Sequence, residues 1–438
     1  MSVVNEPLES DVPALRSANL ACGQLVAGQI LTWREHLHRK VEAIALLEGD
    51  RARRRISLDL TPLDIPWPPR RTRTRVARRA SRQDRYASGQ IVTPLTFIAK
   101  GLMRSLDVTD GTGRSLPVLG RRDNGELATA ALEAVVTAHT RHAPDLAQWR
   151  TLHRIACGNP DEATPLAEAL IADLALELLA ANFVRDLTAN FLLCVLLPRS
   201  VAGTRQVVKF SYHWEDVSAA ELHADPRRLT RTSAGLGFGP FPIQIALGSP
   251  TSAASYHLEV PVPDGLICTS LVLPTGSGGL HTDWTVTPFG HAYDSYDTDT
   301  ATPAEARLEV SSHGLLPTVT LAAIATFAIF AFSIGLPNAL GTLRGSAGGA
   351  NGLLLFGPAL LLALITGRGE NTLVSKLLLP LRAVSVGLSG LLFIAGASLV
   401  GQLRHPWITS LWWVCAVLSG GSAIVTVIAT VKLRRRGG

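Results

Sequence analysis

The distribution of apolar residues along this chain of 438 residues changes sharply near residue 313. Four long apolar runs follow that point, and each is long enough to cross a bilayer core, which requires roughly 20 helical residues. A single acidic residue, Glu370, lies between Leu315 and Val431. We therefore predict a C-terminal four-helix transmembrane bundle in residues 313–438, with spans at Leu315–Leu336, Ala347–Thr366, Ala383–Leu403 and Trp407–Val431.

A shorter apolar stretch, Leu166–Phe183, has a different character. It contains three acidic residues, Glu168, Asp173 and Glu177. Each of them would cost about 2.5–3.5 kcal/mol at the centre of a membrane. Leucines recur at every fourth position of the stretch, which places them on one helix face. The pattern therefore predicts an amphipathic helix in the soluble part of the chain.

Basic residues near the ends of the four runs predict the orientation of the bundle. Four crossings place both chain termini and the loop between the second and third runs on one side of the membrane. An excess of Lys and Arg marks the cytoplasmic side, and this side carries Arg368, Lys376, Arg382, Lys432, Arg434, Arg435 and Arg436, against Arg344 and Arg404 opposite. The first 20 residues also lack the apolar core of a signal peptide. We therefore predict an integral, multi-pass plasma-membrane protein with cytoplasmic N- and C-termini.

The region before the bundle combines helical and strand patterns. Residues 1–50 have the Ala- and Leu-rich pattern of a helical N-terminal lead. Residues 51–203 predict an α+β domain, in which Arg54–Leu60 alternates as a strand and Ser105–Leu119 forms a hairpin. Helices are predicted to follow at residues 146–157 and 164–190.

Between residues 204 and 312 the apolar period changes from about 3.6 to about 2. Val208, Phe210 and Tyr212 alternate with polar residues. Further strand candidates are Phe241–Leu247, Tyr256–Val262, Leu266–Leu273 and Arg307–Val310. Several short strands separated by turn residues predict a small β-sandwich in residues 204–312.

The formal net charge of +6 is concentrated in one stretch. Residues 51–86 contain 12 Arg and three Asp, a local charge of +9. Anionic lipid is the nearest polyanion for a chain held at the cytoplasmic leaflet, and it contributes about 1 kcal/mol per basic residue. Nucleic acid is disfavoured because few aromatic residues accompany the arginines, and a solvated linker is the other alternative. The candidate lipid-contact residues are Arg70, Arg71, Arg73, Arg75, Arg78 and Arg79.

The loop 291–299 is the most oxygen-rich segment of the chain. Its carboxylates Asp294, Asp297 and Asp299 are candidate ligands for a hard cation. The loop lacks the residue order and the glycine of an EF-hand, so a solvated loop is the alternative interpretation.

Other signs of catalytic or cofactor chemistry are sparse. The glycine-rich residues 235–239 run into Pro240 and predict a turn instead of a phosphate-binding loop. No motif typical of nucleotide, serine-hydrolase or zinc-protease sites occurs. The five cysteines form no CxxC pair and predict buried free thiols. We therefore predict no cofactor and no catalytic residue.

Two segments carry a resemblance to known proteins. Leu95–Leu127, with the sequence LTFIAKGLMRSLDVTDGTGRSLPVLGRRDNGEL, precedes Ser255–Leu266, with the sequence SYHLEVPVPDGL. Together with the multi-pass C-terminus, they resemble a family of uncharacterised actinobacterial multi-pass membrane proteins. The resemblance implies a soluble region followed by a membrane domain, and it implies no activity.

The predicted spans favour anchoring over coupled transport. They contain no Asp or Glu, whereas ion-coupled carriers usually bury such groups. Small residues spaced by four, Ser385 with Ser389 and Ala416 with Gly420, favour close helix packing within one chain or in a homo-oligomer. We therefore expect a membrane-anchored, non-enzymatic cytosolic interaction or sensory module with an unknown protein partner. The alternative is an effector whose soluble part gates a small oligomeric pore, since hydrophobic gates need no charge.

Overall fold

The computed structural model describes residues 12–46, 51–67, 89–100, 103–215, 222–224, 228–245, 247, 253–274, 280–283, 289–294, 304–311, 314–335, 355–360, 362, 372–401 and 406–437. They form an N-terminal α/β region with mixed sheets, followed by three long apolar helices. The helices are α1 Val12–Leu31, α2 Trp33–His36, α3 Arg121–Thr140, α4 Leu146–Cys157, α5 Pro160–Leu174, α6 Leu178–Ala189, α7 Arg228–Gly235, α8 Leu315–Gly335, α9 Thr372–Leu377, α10 Leu379–Val400 and α11 Trp407–Gly437. The strands are β1 Leu37–Leu46, β2 Arg51–Leu60, β3 Gln90–Ala99, β4 Met103–Asp110, β5 Asn190–Pro198, β6 Gln206–Glu215, β7 Leu222–Ala224, β8 Phe241–Ile245, β9 Tyr256–Pro261, β10 Leu266–Pro274, β11 Leu280–Asp283, β12 Phe289–Asp294 and β13 Ala304–Val310.

The strands form three sheets. The first sheet has the order β12-β9-β1-β2-β6-β4, in which β1 and β9 are parallel and the other neighbours are antiparallel. The second sheet has the order β11-β10-β13-β8-β7 and is antiparallel throughout. The third is the antiparallel pair β3 and β5. Strands from both sides of residue 204 therefore share the first sheet.

One face of the first sheet is covered by two different partners. Near Ile44, Ala52 and Leu258 it packs against the second sheet. Near Leu58 and Phe210 it packs against β3 and β5. The first sheet therefore connects two apolar cores that lie side by side.

The strand β5 is buried on both faces, as its continuous apolar sequence requires. Leu193 and Val195 pack toward the first sheet, whereas Leu192 and Cys194 pack toward the helical layer formed by α1 and α3–α6. Each fully buried Leu or Val stabilises the fold by about 1.5–3 kcal/mol. This strand therefore fixes the helical layer to the sheets.

Three helices are long and apolar enough to cross a membrane among the described residues, at Leu315–Gly335, Leu379–Val400 and Trp407–Arg435. The hydroxyls of Thr320 and Thr430 lie 3.1 Å apart, and the ring centroids of Phe330 and Trp412 lie 5.3 Å apart. Because the start of α8 contacts the end of α11 and the later part of α8 contacts the start of α11, the two helices are antiparallel. Trp412 Nε1 also donates to Ser398 Oγ of α10 at 3.2 Å.

Two small residues of the spans, Ser389 and Gly420, pack against neighbouring helical segments within the chain. Ser389 Oγ donates to the carbonyl O of Ala359 at 2.7 Å. A Cβ at Gly420 would lie 3.0 Å from the ring of Phe327 on α8. Close helix approach is therefore confirmed inside one protomer, whereas the homo-oligomer stays a prediction.

The membrane character predicted for the C-terminal quarter is confirmed for three of the four apolar runs. The predicted second span, Ala347–Thr366, lies mostly outside the described residues. Its described residues, 355–360 and 362, are helical.

The small sandwich predicted for residues 204–312 is not confirmed. The strands β6, β9 and β12 pair with β1, β2 and β4 in the first sheet, while the remaining strands form the second sheet. Alternation identified the strands β6, β8, β9, β10 and β13 correctly. It gave no information on which strands pair across the chain, because pairing is set by long-range packing.

Two helical predictions need correction. The helical lead ends at His36, and Leu37–Leu46 is a strand paired with β2 and β9. The helix predicted for 164–190 is broken, because Ala175 adopts a left-handed conformation with φ of 47° after α5. Leu178 begins the next helix and is 75% exposed, so the leucine stripe does not continue across the break.

Candidate functional site

A cavity of about 520 Å³ lies between β5, the start of α3 and the turn that joins α4 to α5. Small-molecule sites have volumes of roughly 300–1,000 Å³. Most of the wall is apolar, with Leu, Val, Ala and Phe side chains from β5, α3 and the segment that follows β4. The polar lining residues are Lys100, Arg121, Asn124, Cys157 and Asn159.

Lys100 directly follows β3, and a main-chain hydrogen bond of 2.9 Å to Ala189 holds its backbone. Its Nζ donates to the carbonyl O of Ile155, in the last turn of α4, at 2.8 Å. Carbonyl groups at a helix C-terminus carry partial negative charge and stabilise a cation there. Burial lowers the pKa of Lys100 to about 8, so the side chain remains mostly charged at neutral pH.

Arg121 is the first residue of α3 and is exposed at the cavity. The preceding residue, Gly120, caps the helix without a side-chain hydrogen bond. Asn124 lies one turn further on, and its Oδ1 is buried without a hydrogen-bond partner among the described residues. α5 also begins at the cavity wall, where Asn159 makes no side-chain cap bond. The N-termini of both helices carry partial positive charge, which adds to the charge of Arg121 at the cavity.

Cys157 lies 3.6 Å from the ring of His153, measured from Sγ to Nδ1. The same Nδ1 lies 3.2 Å from Thr129 Oγ1, and the ring stacks on Trp149. Burial raises the pKa of the Cys157 thiol, against a smaller opposing effect of Lys100. A neutral thiol is a poor nucleophile, so this cysteine–histidine contact does not form an activated catalytic pair.

The electrostatic character of the cavity follows from these residues. None of the described residues that line it is acidic. The acidic residues in the first turns of the two helices, Asp123, Asp161 and Glu162, are not part of the lining. The cavity therefore combines two cationic side chains with apolar walls.

A second group of charged side chains is buried on β1 and β2 of the first sheet. Arg54 Nε is 2.8 Å from Glu42 Oε1, and Lys40 Nζ is 3.9 Å from Glu42 Oε2. Tyr256 donates its hydroxyl to the same carboxylate at 3.1 Å, and Arg54 donates to the Tyr212 hydroxyl at 3.5 Å. Burial lowers the pKa of Lys40 to about 8, with Glu42 opposing. We call these five residues the sheet ion network, and their mutual pairing indicates a structural role.

The second sheet shares one apolar core with the ends of the three membrane helices. Leu316 at the start of α8, Leu381 at the start of α10 and Leu433 at the end of α11 pack in the same cluster as Leu308 of β13. Gly237 lies among them with a φ of +85°, and a Cβ at this position would lie 3.0 Å from Leu433 and 3.3 Å from Leu316. The second sheet therefore sits directly on the helix ends.

Further contacts come from the turn predicted at residues 235–240, which is confirmed as the end of α7 and the link to β8. A Cβ at Gly235 would collide with the carbonyl O of Leu377, so α7 packs closely on the junction of α9 and α10. Lys432 Nζ of α11 donates to the carbonyl O of Phe238 at 2.8 Å. We call Gly235–Gly239 the junction turn.

Most of the predicted site residues lie outside the described part of the chain. This holds for Arg70, Arg71, Arg73, Arg75, Arg78 and Arg79, and for Asp297 and Asp299. Asp294 is the last residue of β12, where the structure describes its backbone and not its side chain. Within the described residues, no group of three or more His, Cys, Asp or Glu could hold a metal ion.

The described part of the arginine-rich stretch has structural partners. Arg54 belongs to the sheet ion network, and Arg53 donates to Ser211 Oγ at 3.2 Å. Lys100, Arg121 and Cys157 were not predicted as site residues. They come from three separate segments and form no short motif, so their proximity depends on the fold.

Comparison with models of known protein families and with curated proteins found no match to this chain. The resemblance of Leu95–Leu127 and Ser255–Leu266 to actinobacterial membrane proteins therefore stays a prediction. The class defined by the fold is a membrane protein with a large α/β region before its apolar helices.

Proposed function

We propose that this protein is a membrane-anchored sensory module without enzymatic activity. Its α/β region would bind a ligand or protein partner at the inner leaflet, and the membrane helices would hold it there and respond to it. One observation carries this proposal: the second sheet and the ends of three apolar helices share a single core. A passive tether would need no such core.

Four membrane crossings fit the positions of the helix ends. The starts of α8 and α10 both pack against the second sheet, so both helices lead away from the soluble region. We therefore propose that the chain crosses back between Gly335 and Thr372. Ala359 and Leu362 lie in this interval and pack in the membrane core with Phe330, in support of a second span that runs back toward the sheet. With the excess of basic residues on that side, we place the soluble region and both termini in the cytoplasm.

A contiguous set of packed elements connects the cavity to the helix ends. Leu193 of β5 lines the cavity and also packs toward the first sheet. The first sheet packs on the second through Ile44 and Leu258, and the second sheet packs on the helix ends. Coupling between distant sites requires such a physical connection together with two alternative states.

Changing the bilayer thickness tests the proposal without any ligand. The full chain would be placed in nanodiscs of short-chain or long-chain phosphatidylcholine, because mismatch changes the tilt of membrane helices. We expect hydrogen exchange to change in β8 and β13, which pack on the helix ends. The helix α6 belongs to another core and contributes no residue to the cavity lining, so it serves as the internal reference.

The contrary result is equally clear. If exchange changes within α8, α10 and α11 while β8 and β13 stay the same, the membrane helices and the soluble region are uncoupled. The helices would then be only an anchor, and the sensory proposal would be wrong.

The second candidate function is an effector whose soluble part gates a small pore. The junction turn favours it, because one short segment contacts α9, α10 and α11 at the soluble side of the bundle. Single-channel recording on the purified chain in planar bilayers separates the two functions. Unitary current steps would support the effector, and a silent bilayer with confirmed insertion would support the sensory module.

A further inference from the structure

We infer that the cavity beside β5 binds a phosphomonoester with an apolar body, held by Lys100 and Arg121. This inference deepens the proposed function, because occupancy of the cavity would be the signal that the sensory module receives. The carrying observations are the two cationic side chains, the buried amide oxygen and the apolar walls.

The charge of the site selects an anion. Lys100 and Arg121 line one cavity, and neither has a carboxylate partner among the described residues. A phosphomonoester carries about −1.5 to −2 charges at pH 7, whereas a carboxylate carries one. Two cations therefore match a phosphomonoester better than a carboxylate.

The donor geometry also suits a phosphate group. Arg presents a planar set of N–H donors that matches phosphate oxygens, and Lys supplies a compact point charge. The first-turn amides of α3 have no side-chain cap and are further donors. The buried Oδ1 of Asn124 is an acceptor and suits the remaining proton of the phosphate or a hydroxyl group of the ligand.

The rest of the lining selects an apolar body. Leu106, Val118 and Phe191 line the cavity with Leu192 and Leu193. An aliphatic or aromatic group placed there would be removed from water, which favours binding in proportion to the apolar area buried. Inorganic phosphate alone would leave this surface uncovered and is expected to bind more weakly.

The inference is tested with hexyl phosphate by calorimetry on the full chain in zwitterionic nanodiscs, with empty nanodiscs as the blank. We expect hexyl phosphate to bind at least about tenfold more tightly than hexanoate or inorganic phosphate, in line with the strength of charge-assisted hydrogen bonds. 1-Hexanol should give no site-specific heat. Equal binding of hexanol would overturn the anion assignment, and equal or tighter binding of hexanoate would overturn the phosphate assignment.

Two neighbouring arginines give a matched pair of variants. Arg121→Gln removes a lining cation and should weaken hexyl phosphate binding by about tenfold. Arg122→Gln removes the same charge one residue away, but Arg122 is not part of the lining and pairs with Glu126 at 2.9 Å. Equal loss in both variants would indicate a general charge effect and would overturn the site.

Cys157 provides a readout that is independent of heat. It lines the cavity and is half-buried, whereas the other four cysteines are buried. Because burial raises the pKa of the Cys157 thiol, we expect N-ethylmaleimide to modify it slowly. Saturating hexyl phosphate should slow this reaction several-fold further, as measured by mass spectrometry of each cysteine over a long time course. Unchanged modification at saturation would place the ligand elsewhere. If binding succeeds while the bilayer-thickness experiment fails, the site stands and the sensory coupling does not.

Discussion

Glu42 is the residue on which the sheet ion network depends, because both buried cations pair with its carboxylate. Its side chain is fully buried, and Lys40 and Arg54 are 1% and 6% exposed. Removing one partner of a buried ion pair leaves uncompensated charge and is strongly destabilising. We expect Glu42→Gln to lower the free energy of unfolding by about 3 kcal/mol, measured by chemical denaturation of the full chain in detergent.

The pH dependence separates lost charge from lost packing in this variant. Burial already lowers the pKa of Lys40 to about 8, and removing Glu42 takes away the charge that opposes this shift. Below the pKa that Lys40 has in the variant, Lys40 is charged, and the loss of the Glu42 charge costs its full stabilisation of that cation. This part of the loss disappears as the pH rises past about 8, because Lys40 is then neutral in the folded wild type as well. The destabilisation should therefore be larger at neutral pH than above pH 8. Glu168→Gln, which breaks an exposed pair with Arg185, should stay close to wild type; a loss equal to that of Glu42→Gln would contradict the argument.

At the scale of elements, the junction turn packs directly against α9 and the start of α10. Gly235→Ala places a methyl group against the carbonyl O of Leu377, and the junction of α9 and α10 must move to accommodate it. Overpacking of this kind costs about 1–3 kcal/mol, which outweighs the gain of up to about 1 kcal/mol in helix propensity. We expect lower thermal stability and faster hydrogen exchange in Thr372–Leu381.

Gly239→Ala is the matched control in the same turn. A Cβ at Gly239 meets no atom within 4 Å, so the substitution should leave both stability and exchange unchanged. Equal effects of the two variants would mean that the turn itself needs glycine and that contact with the helices is not the cause.

Some elements are predicted from the sequence and others are not. The difference depends on whether the side chains that face the core are apolar or charged. β6 was predicted because Val208, Phe210 and Tyr212 alternate with polar residues. β1 was missed because its inward positions include Lys40 and Glu42, which weaken the apolar alternation. The apolar helices were predicted because a continuous run of apolar residues needs no partner to be recognised. The cavity could not be predicted, because Lys100, Arg121 and Cys157 meet only through the packing of β5 on the helical layer.

At the scale of the whole molecule, the number of crossings and the orientation determine which side receives the signal. The positions of the helix ends support a return of the chain between Gly335 and Thr372, and we propose from the basic residues that the α/β region lies in the cytoplasm. Two introduced cysteines, each read by mass spectrometry beside the natural ones, report on this return: Arg344→Cys in the predicted external loop and Arg368→Cys in the predicted cytoplasmic loop. The natural Cys157, half-buried in the soluble region, reports on its side of the membrane.

In sealed right-side-out vesicles, a membrane-impermeant maleimide should label Arg344→Cys directly. Cys157 and Arg368→Cys should react only after detergent is added, because the proposed orientation puts both on the cytoplasmic side. Labelling of the two introduced cysteines from the same side would show that the segment between them does not cross the membrane and would contradict the fourth crossing. Labelling of Cys157 in intact vesicles would mean that the proposed orientation is wrong. The cavity would then bind external phosphomonoesters instead of cytoplasmic ones. Since both results are read from one set of vesicles, the crossing number and the side of the cavity are decided independently.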